Sequence, residues 1–295
     1  MGRTFIENLV LQGFHAGSLM QGTSGSPVMA WFTALTSLLI PPERGPPPPT
    51  VVATVLDTFM HDTSAFTQGL HFEPQTKTLL ESTGMYGAST CRRVQIASGR
   101  TLECEELDPD HFGEGLSVEP RTNTCVQLLW REGLCLVRDA ATLALKGAVP
   151  LPRGMREGWG LTHDGHGSFW ASDGTSTLHQ LDSSTLEVQR TVTVRMPGRD
   201  GKQLSYINDL QWVDGLIYAN VWQQDHLAII EPSSGEVRGF VDLTGLLSRR
   251  ERAVLGFEEV LNGIAYDPHD SDGHGCLYVT GKCWPKLFKL EVPRF

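Results

Sequence analysis

The chain has 295 residues, with 34 acidic against 24 basic side chains, a net charge of −10, and 40% apolar residues. That composition is ordinary for a globular protein and long enough to bury a core without disulfide staples. The acidic excess argues against wholesale binding to nucleic acid or an anionic membrane, and the densest basic group, Arg249-Arg250 with Arg252, reads as a solvated loop.

Residues 1–50 differ from the rest. Glu7-Asn8-Leu9-Val10-Leu11-Gln12-Gly13 has the look of a degraded protease-tag site, so part of this leader is expected to be a tag remnant. Val28–Ile40 is a 13-residue apolar run, too short to span a bilayer comfortably, so no stable membrane span is expected. Its length suits a signal-peptide core, although no Lys/Arg cluster precedes it and no small-x-small site follows. Pro41-Pro42 and Pro46–Pro49 then make a stiff polyproline spacer. The expectation is a secreted or periplasmic protein.

From Val51 to the C-terminus the chain reads as one domain of repeated units. A polar or aromatic residue, then Gly or Asp, then Leu or Ile recurs at Gln68-Gly69-Leu70, Glu114-Gly115-Leu116, Trp159-Gly160-Leu161, Asn208-Asp209-Leu210 and Asn262-Gly263-Ile264. The spacings are 46, 45, 49 and 54 residues, filled with short β-rich runs and Gly/Asp turns. A period of this length predicts an all-β fold, a five-bladed β-propeller of four-stranded antiparallel blades. In the third unit Gly160–His163, Gly167–Ser172, Leu178–Leu181 and Val188–Val194 are its four strands. Ala97-Ser98-Gly99, Asp182-Ser183-Ser184 and Pro232-Ser233-Ser234-Gly235 supply hairpin chemistry between third and fourth strands. The fifth unit stops at Val292 after three strands, and Val51–Phe59 is expected to supply the fourth and close the ring. Residues 245–260 suit one or two helical turns inserted between blades.

The six cysteines, at 91, 104, 125, 135, 276 and 283, have no CxxC spacing, which argues against a structural zinc site. Disulfides and buried free thiols both stay open. No Walker, Rossmann or G-x-S-x-G pattern occurs.

Strand direction brings Gln68, Glu114, Trp159, Asn208 and Asn262 to one mouth of the disc. The loops after the second strands add Trp130, Asp173, Trp222 and Lys282 to that face, with the neighbourhood of Tyr86 to Ser89 from the first blade. Glu114, between Phe112-Gly113 and Gly115-Leu116, is placed for a desolvated carboxyl with a raised pKa and a proton-shuttle role, or for a channel-lining carboxylate bonded to amides. Lys282 reads as an oxyanion stabiliser or an exposed turn lysine. Trp130, Trp159 and Trp222 read as an aromatic wall or as packing between blades. Gln68 and Asn208 read as amide grips or strand-end caps.

The segments Phe66–Leu70, Phe112–Leu116, Glu157–Leu161, Tyr218–Trp222, Val260–Ile264 and Val279–Phe288 together resemble the plant-type glutaminyl cyclases, the glutamine cyclotransferase family also found in bacteria. The resemblance runs in order from Val51 to Val292 and touches every blade. It implies conversion of the N-terminal glutamine of peptides or proteins to pyroglutamate with release of ammonia, without zinc; a monomer with no cofactor is expected. Glu114 matches the family's acid/base, and Gln68, Asn208 and Lys282 its polar substrate contacts, with Lys282 read as catalytic. Trp130, Trp159 and Trp222 match its aromatic collar and Phe66 a packing residue beside it; Asn262 joins the substrate-binding ring. Cys283 stands where many relatives carry an aliphatic residue. Two rival readings are a calcium-dependent lactonase-like propeller, using Glu114, Asn208 and Asn262, and a non-catalytic binding platform.

Overall fold

The computed structural model describes residues 47–198, 201–270 and 275–292. The tag-like stretch and the apolar run Val28–Ile40 lie outside the described residues, as does all but the end of the proline spacer. The described residues hold 21 strands. Two come before the first repeat, β1 (Thr50–Val52) and β2 (Val55–Met60). The first blade is β3 (Thr67–Glu73), β4 (Thr78–Thr83), β5 (Thr90–Gln95) and β6 (Arg100–Glu106). The second is β7 (Gly113–Glu119), β8 (Thr124–Leu129), β9 (Leu134–Asp139) and β10 (Leu145–Pro150). The third is β11 (Leu161–His163), β12 (Ser168–Ser172), β13 (Thr177–Asp182) and β14 (Val188–Thr193). The fourth is β15 (Ile207–Val213), β16 (Leu216–Val221), β17 (His226–Ile230) and β18 (Val237–Asp242), and the fifth is β19 (Leu261–Asp267), β20 (Cys276–Gly281) and β21 (Lys286–Glu291). Each blade is an antiparallel meander in chain order, and the fifth takes β2 as its outer strand, making the expected five-bladed ring.

Burial follows distance from the axis. The innermost β7 is buried along its whole length, whereas the outermost β6 is exposed at nearly every residue. An inner strand lies between neighbouring blades, so both of its faces are covered and it shows no polar alternation. Apolar side chains fill the wedges between blades; Leu80, Leu107, Leu116, Leu129 and Leu136 form one such layer between the first and second.

The recurring Gly/Asp position explains itself at the axis. A Cβ on Gly69 would lie 2.7 Å from Leu116 N, and one on Gly115 2.5 Å from Trp159 O. A Cβ on Gly160 would overlap the Asn208 carbonyl. Only glycine lets the backbones come this close. Between the fourth and fifth blades side chains bridge the inner strands: Asp209 Oδ2 accepts from Ile264 N at 2.9 Å and Asn220 Oδ1 from Gly263 N at 3.0 Å.

Ring closure differs in detail from the expectation. Val51–Phe59 is two strands rather than one. β2 pairs antiparallel with β21, Thr58 opposite Phe288, while β1 runs parallel to β18 as a fifth strand on the fourth blade, Val51 opposite Val241. Adjacent blades diverge towards the rim, so one straight nine-residue strand cannot pair with both. The chain switches partners at Ala53-Thr54, where Ala53 N donates to Asp242 O and Glu291 N donates to Thr54 O. Just after β2, His61 Nε2 meets Glu81 Oε1 at 2.9 Å, and Glu81 also accepts from Thr67 Oγ1 and Arg92 Nε. This buried cluster ties the closing segment to the start of β3, beside Gln68.

The inserted segment holds a single helical turn, α1 (Arg249–Arg252), with a Ser248/Glu251 capping box. Arg252 pairs with Asp225 at 2.7 Å and Glu251 with Lys286 at 2.6 Å, which clamps the loop onto the fourth and fifth blades. All six cysteines are free thiols, with Cys91 and Cys125 adjacent between the first two blades.

Because β2 closes the ring and β1 only decorates one edge, two truncations should differ sharply. A chain starting at Thr54 should keep most of the stability of one starting at Pro47, whereas one starting at His61 should aggregate or lose cooperative unfolding. Thermal denaturation of the three checks this, and equal melting of all three would contradict closure by β2.

Candidate active site

First strands start at one face of the disc and second strands return to it. The loops after second and fourth strands therefore share that face, and a single hydrogen bond recurs there in four blades. The residue after the second strand donates its N–H to the carbonyl two positions before the leading residue: Gly84 to Phe66, Trp130 to Phe112, Trp222 to Tyr206 and Lys282 to Val260, at 2.8–3.0 Å. Trp130, Trp222 and Lys282 are thus equivalent, as the repeats imply. In the first blade Gly84 takes that place, and a Cβ there would overlap the Phe112 ring. In the third blade Asp173 follows the second strand and Glu157 stands two positions before Trp159.

Three leading residues are joined by hydrogen bonds. Gln68 Nε2 donates to Glu114 Oε1 at 3.2 Å, and Asn262 Nδ2 donates to Gln68 Oε1 at 3.2 Å and to Thr67 O at 3.1 Å. Gln68, Glu114, Asn208 and Asn262 are all buried. Burial drives the Glu114 carboxyl well above the ordinary carboxylate range; Lys282 opposes this, and Glu157, Asp209 and Glu132 add to it. Lys282 is itself buried, with Nζ 4.8 Å from the centre of the Phe66 ring. Desolvation lowers its pKa, and Glu114 and Glu258 oppose that shift. The exposed-turn reading of Lys282 does not hold. The side-chain oxygens of Asn208 and Asn262 are buried acceptors with no protein partner, so both can receive a donor from a bound molecule.

The tryptophans fall into two walls. On the side of the first three blades, Phe66 meets Phe112 edge-on at 6.3 Å, and Phe112 touches Trp130 at 5.4 Å and Tyr86 at 5.3 Å. Glu157 Oε2 accepts from both Trp130 Nε1 at 2.9 Å and Trp159 Nε1 at 3.0 Å. Its Oε1 accepts from Arg131 Nε at 2.8 Å, and that guanidinium lies 3.8 Å from the centre of the Trp130 ring. Burial opposes ionisation of Glu157, but the N–H groups of Trp159, Arg131 and Trp130 outweigh it and hold the carboxyl below its ordinary range. The Trp159 ring covers Gly174, where a Cβ would lie 2.6 Å from the indole. The other wall belongs to the fourth blade: Trp222 contacts Tyr206 at 5.5 Å and Phe257 at 6.3 Å and donates to Glu258 Oε2 at 3.2 Å.

Glu157, Phe112, Tyr206 and Phe257 are the parts that the sequence reading left without a role. The signal was present: two residues before each leading position stand Phe66, Phe112, Glu157, Tyr206 and Val260, a second ring one step outside the first. Asp173, the remaining acid of the expected face, is engaged by His179 at 3.1 Å and by Thr175 Oγ1. Among the described residues, Asp267, Asp270 and Cys276 could together hold a metal ion. They belong to the far face of the disc, and Lys289 Nζ already lies 2.8 Å from Asp270.

The arrangement is a buried polar floor, with one carboxyl and one ammonium, beside two walls of aromatic rings. Glu157→Ala should free both indoles of the first wall. Tryptophan emission should shift to the red while the circular-dichroism spectrum stays unchanged; unaltered emission would mean that packing alone holds the rings.

The family model for glutamine cyclotransferase matches residues 29–292. Over 242 residues the chain is 38% identical to a glutaminyl-peptide cyclotransferase of Arabidopsis thaliana, covering 81% of this chain and 70% of the relative. The crystal structure of Myxococcus xanthus glutaminyl cyclase is similar with a TM-score of 0.72 at 32% identity, over 84% of this chain and 100% of the other.

Proposed function

The chain belongs to the glutamine cyclotransferase family, with the activity of a glutaminyl-peptide cyclotransferase, and we propose that Glu114 is the acid/base of its reaction. The observation that carries this is the buried Glu114 carboxyl on the axis, bonded to Gln68 and facing the buried Lys282.

The reaction closes a five-membered ring when the substrate's own neutral α-amine attacks its γ-carboxamide carbon. The C–N bond to the amine forms and the bond to the carboxamide nitrogen breaks, releasing ammonia. The nucleophile is built into the substrate, so the protein folds the side chain back and manages protons. Glu114 takes a proton from the attacking amine and gives it to the leaving nitrogen; a carboxyl with a raised pKa suits both steps near neutral pH. Lys282 stabilises the oxygen as it becomes negative in the tetrahedral intermediate. Asn208 and Asn262 offer their unpartnered carbonyl oxygens to the substrate's N–H groups, and Gln68 holds Glu114 in place. The indoles of Trp130, Trp159 and Trp222, with Phe66 under Lys282, confine the glutamine methylenes.

Incubating the protein with a Gln-initiated dipeptide and measuring ammonia tests the reading directly. Glu114→Gln should lower kcat by roughly 10² or more. The stability effect has a defined sign. A carboxyl whose folded pKa is raised stabilises the fold below its unfolded value of 4.5, and that contribution is lost as pH rises through the folded value. The Gln variant should therefore melt no lower than the parent at pH 7 and lose that advantage at pH 4. A variant with full activity would move the proton role elsewhere.

Lys282→Met keeps most of the stem and removes the ammonium, which should cost about 3 kcal/mol of transition-state stabilisation, seen mainly in kcat. Lys282→Arg should rescue poorly, because a planar fork places its charge differently. A raised KM with kcat intact would make Lys282 a binding contact instead.

A further inference from the structure

Only three aromatic side chains are exposed among the described residues, and all three stand at the mouth: Tyr86 at 52%, Tyr206 at 55% and Phe257 at 74% exposure. Tyr86 lies in the loop after the second strand of the first blade; Tyr206 and Phe257 precede the inner strands of the fourth and fifth. Each one extends an aromatic wall outward, Tyr86 from Phe112 and the other two from Trp222.

Two of them are held where a free chain would not leave them. Tyr206 has φ +64°, in the left-handed region that disfavours a bulky side chain, and both of its backbone groups are used: its N–H donates to Gly174 O and its carbonyl accepts from Trp222 N. Phe257 sits on the loop clamped by the Arg252–Asp225 and Glu251–Lys286 pairs, and its carbonyl accepts from Gln223 Nε2 at 2.9 Å. The exposed part of each ring buries little surface within the fold. It is instead pre-organised to meet an apolar group from outside. Each wall also carries a carboxylate: Glu132 Oε1 accepts from the Tyr86 hydroxyl at 2.9 Å, and Glu258 accepts from Trp222. Arg131 pairs with Glu157 at 2.8 Å, and Lys282 Nζ lies over the Phe66 ring.

We propose that Tyr86, Tyr206 and Phe257 form a subsite for the residues that follow the N-terminal glutamine, selecting peptides with an apolar or aromatic second residue and rejecting acidic ones. The proposal rests on the cyclase reading, because the peptide must leave the buried pocket between the two walls. Apolar side chains there remove the exposed rings from water. An acidic side chain would face the Glu132 and Glu258 carboxylates, and like charges repel.

The test is kcat/KM for ammonia release from Gln-Phe-Ala-amide, Gln-Gly-Ala-amide and Gln-Glu-Ala-amide. The Phe peptide should exceed the Gly peptide at least about fivefold, and the Glu peptide should be the slowest. In Tyr206→Ser and in Phe257→Ser the Phe/Gly ratio should fall towards one, and Glu258→Gln should raise the Glu peptide relative to the Gly peptide. Because these side chains are exposed, the variants keep the fold, and each carries its own Gly reference. Equal rates across the three peptides, or a ratio unchanged in both Ser variants, would overturn the subsite while leaving the cyclase reading intact. No ammonia from any peptide would overturn both.

Discussion

Everything at the mouth depends on how closely the five inner strands approach the axis. Gly69, Gly115 and Gly160 let each inner backbone lie against the next with no room for a Cβ. The residue just before each glycine then has nowhere to go but over the central opening. Gln68, Glu114 and Trp159 are projected there by the same contact that packs the blades, so site geometry and fold stability share one constraint. At the fourth position Asp209 replaces glycine, and its carboxylate bonds to Ile264 N across the gap. Burial pushes that carboxyl well above its ordinary range, and its charge bears on Glu114. The joint between the fourth and fifth blades is therefore also an electrostatic neighbour of the proposed proton shuttle.

A buried carboxyl next to a buried ammonium has two opposing influences on each group. Desolvation favours the neutral form of both, and their mutual attraction favours the charged pair. For Glu114 and Lys282 desolvation wins: the carboxyl goes up and the ammonium goes down. Each pKa unit is about 1.4 kcal/mol, so the ring stores free energy that a fully solvated pair would not. The rest of the fold offsets that cost by burying apolar layers between blades and by closing the sheet edge with β2.

The repeat was legible because the axis demands the same small residue in nearly every blade, and a demand that recurs every 45 to 54 residues shows in a single chain. The leading residues and the strand-two loops followed from strand direction, which is why Glu114, Gln68, Asn262 and Lys282 could be placed on one face. The division of Val51–Phe59 was not legible, because nothing local marks Ala53-Thr54; the break comes from the divergence of two blades that the chain meets in succession. Glu157 was hidden for a different reason. Its equivalents are Phe66, Phe112, Tyr206 and Val260, so the third blade breaks an apolar pattern, and an isolated polar residue in a loop reads as solvated. Only the two indole N–H groups that it receives show otherwise.

Glu157 also shows how the chemistry shapes its surroundings. When the nucleophile belongs to the substrate, the enzyme gains most by restricting the substrate's conformations, and rings that restrict must themselves be fixed. A lone indole against a glycine could pivot; two indoles sharing one carboxylate oxygen cannot move independently. Arg131, bonded to the other oxygen and stacked on Trp130, holds the carboxylate in turn. The charge balance fits this role, since the three donors keep Glu157 ionised below its ordinary range while Glu114, bonded to one amide, is pushed the other way. Two carboxyl groups at one mouth thus take opposite protonation behaviour: Glu157, with three N–H donors, is held as an anion that orders the cage, and the deeply buried Glu114, with one amide donor, is the group proposed to exchange a proton inside it.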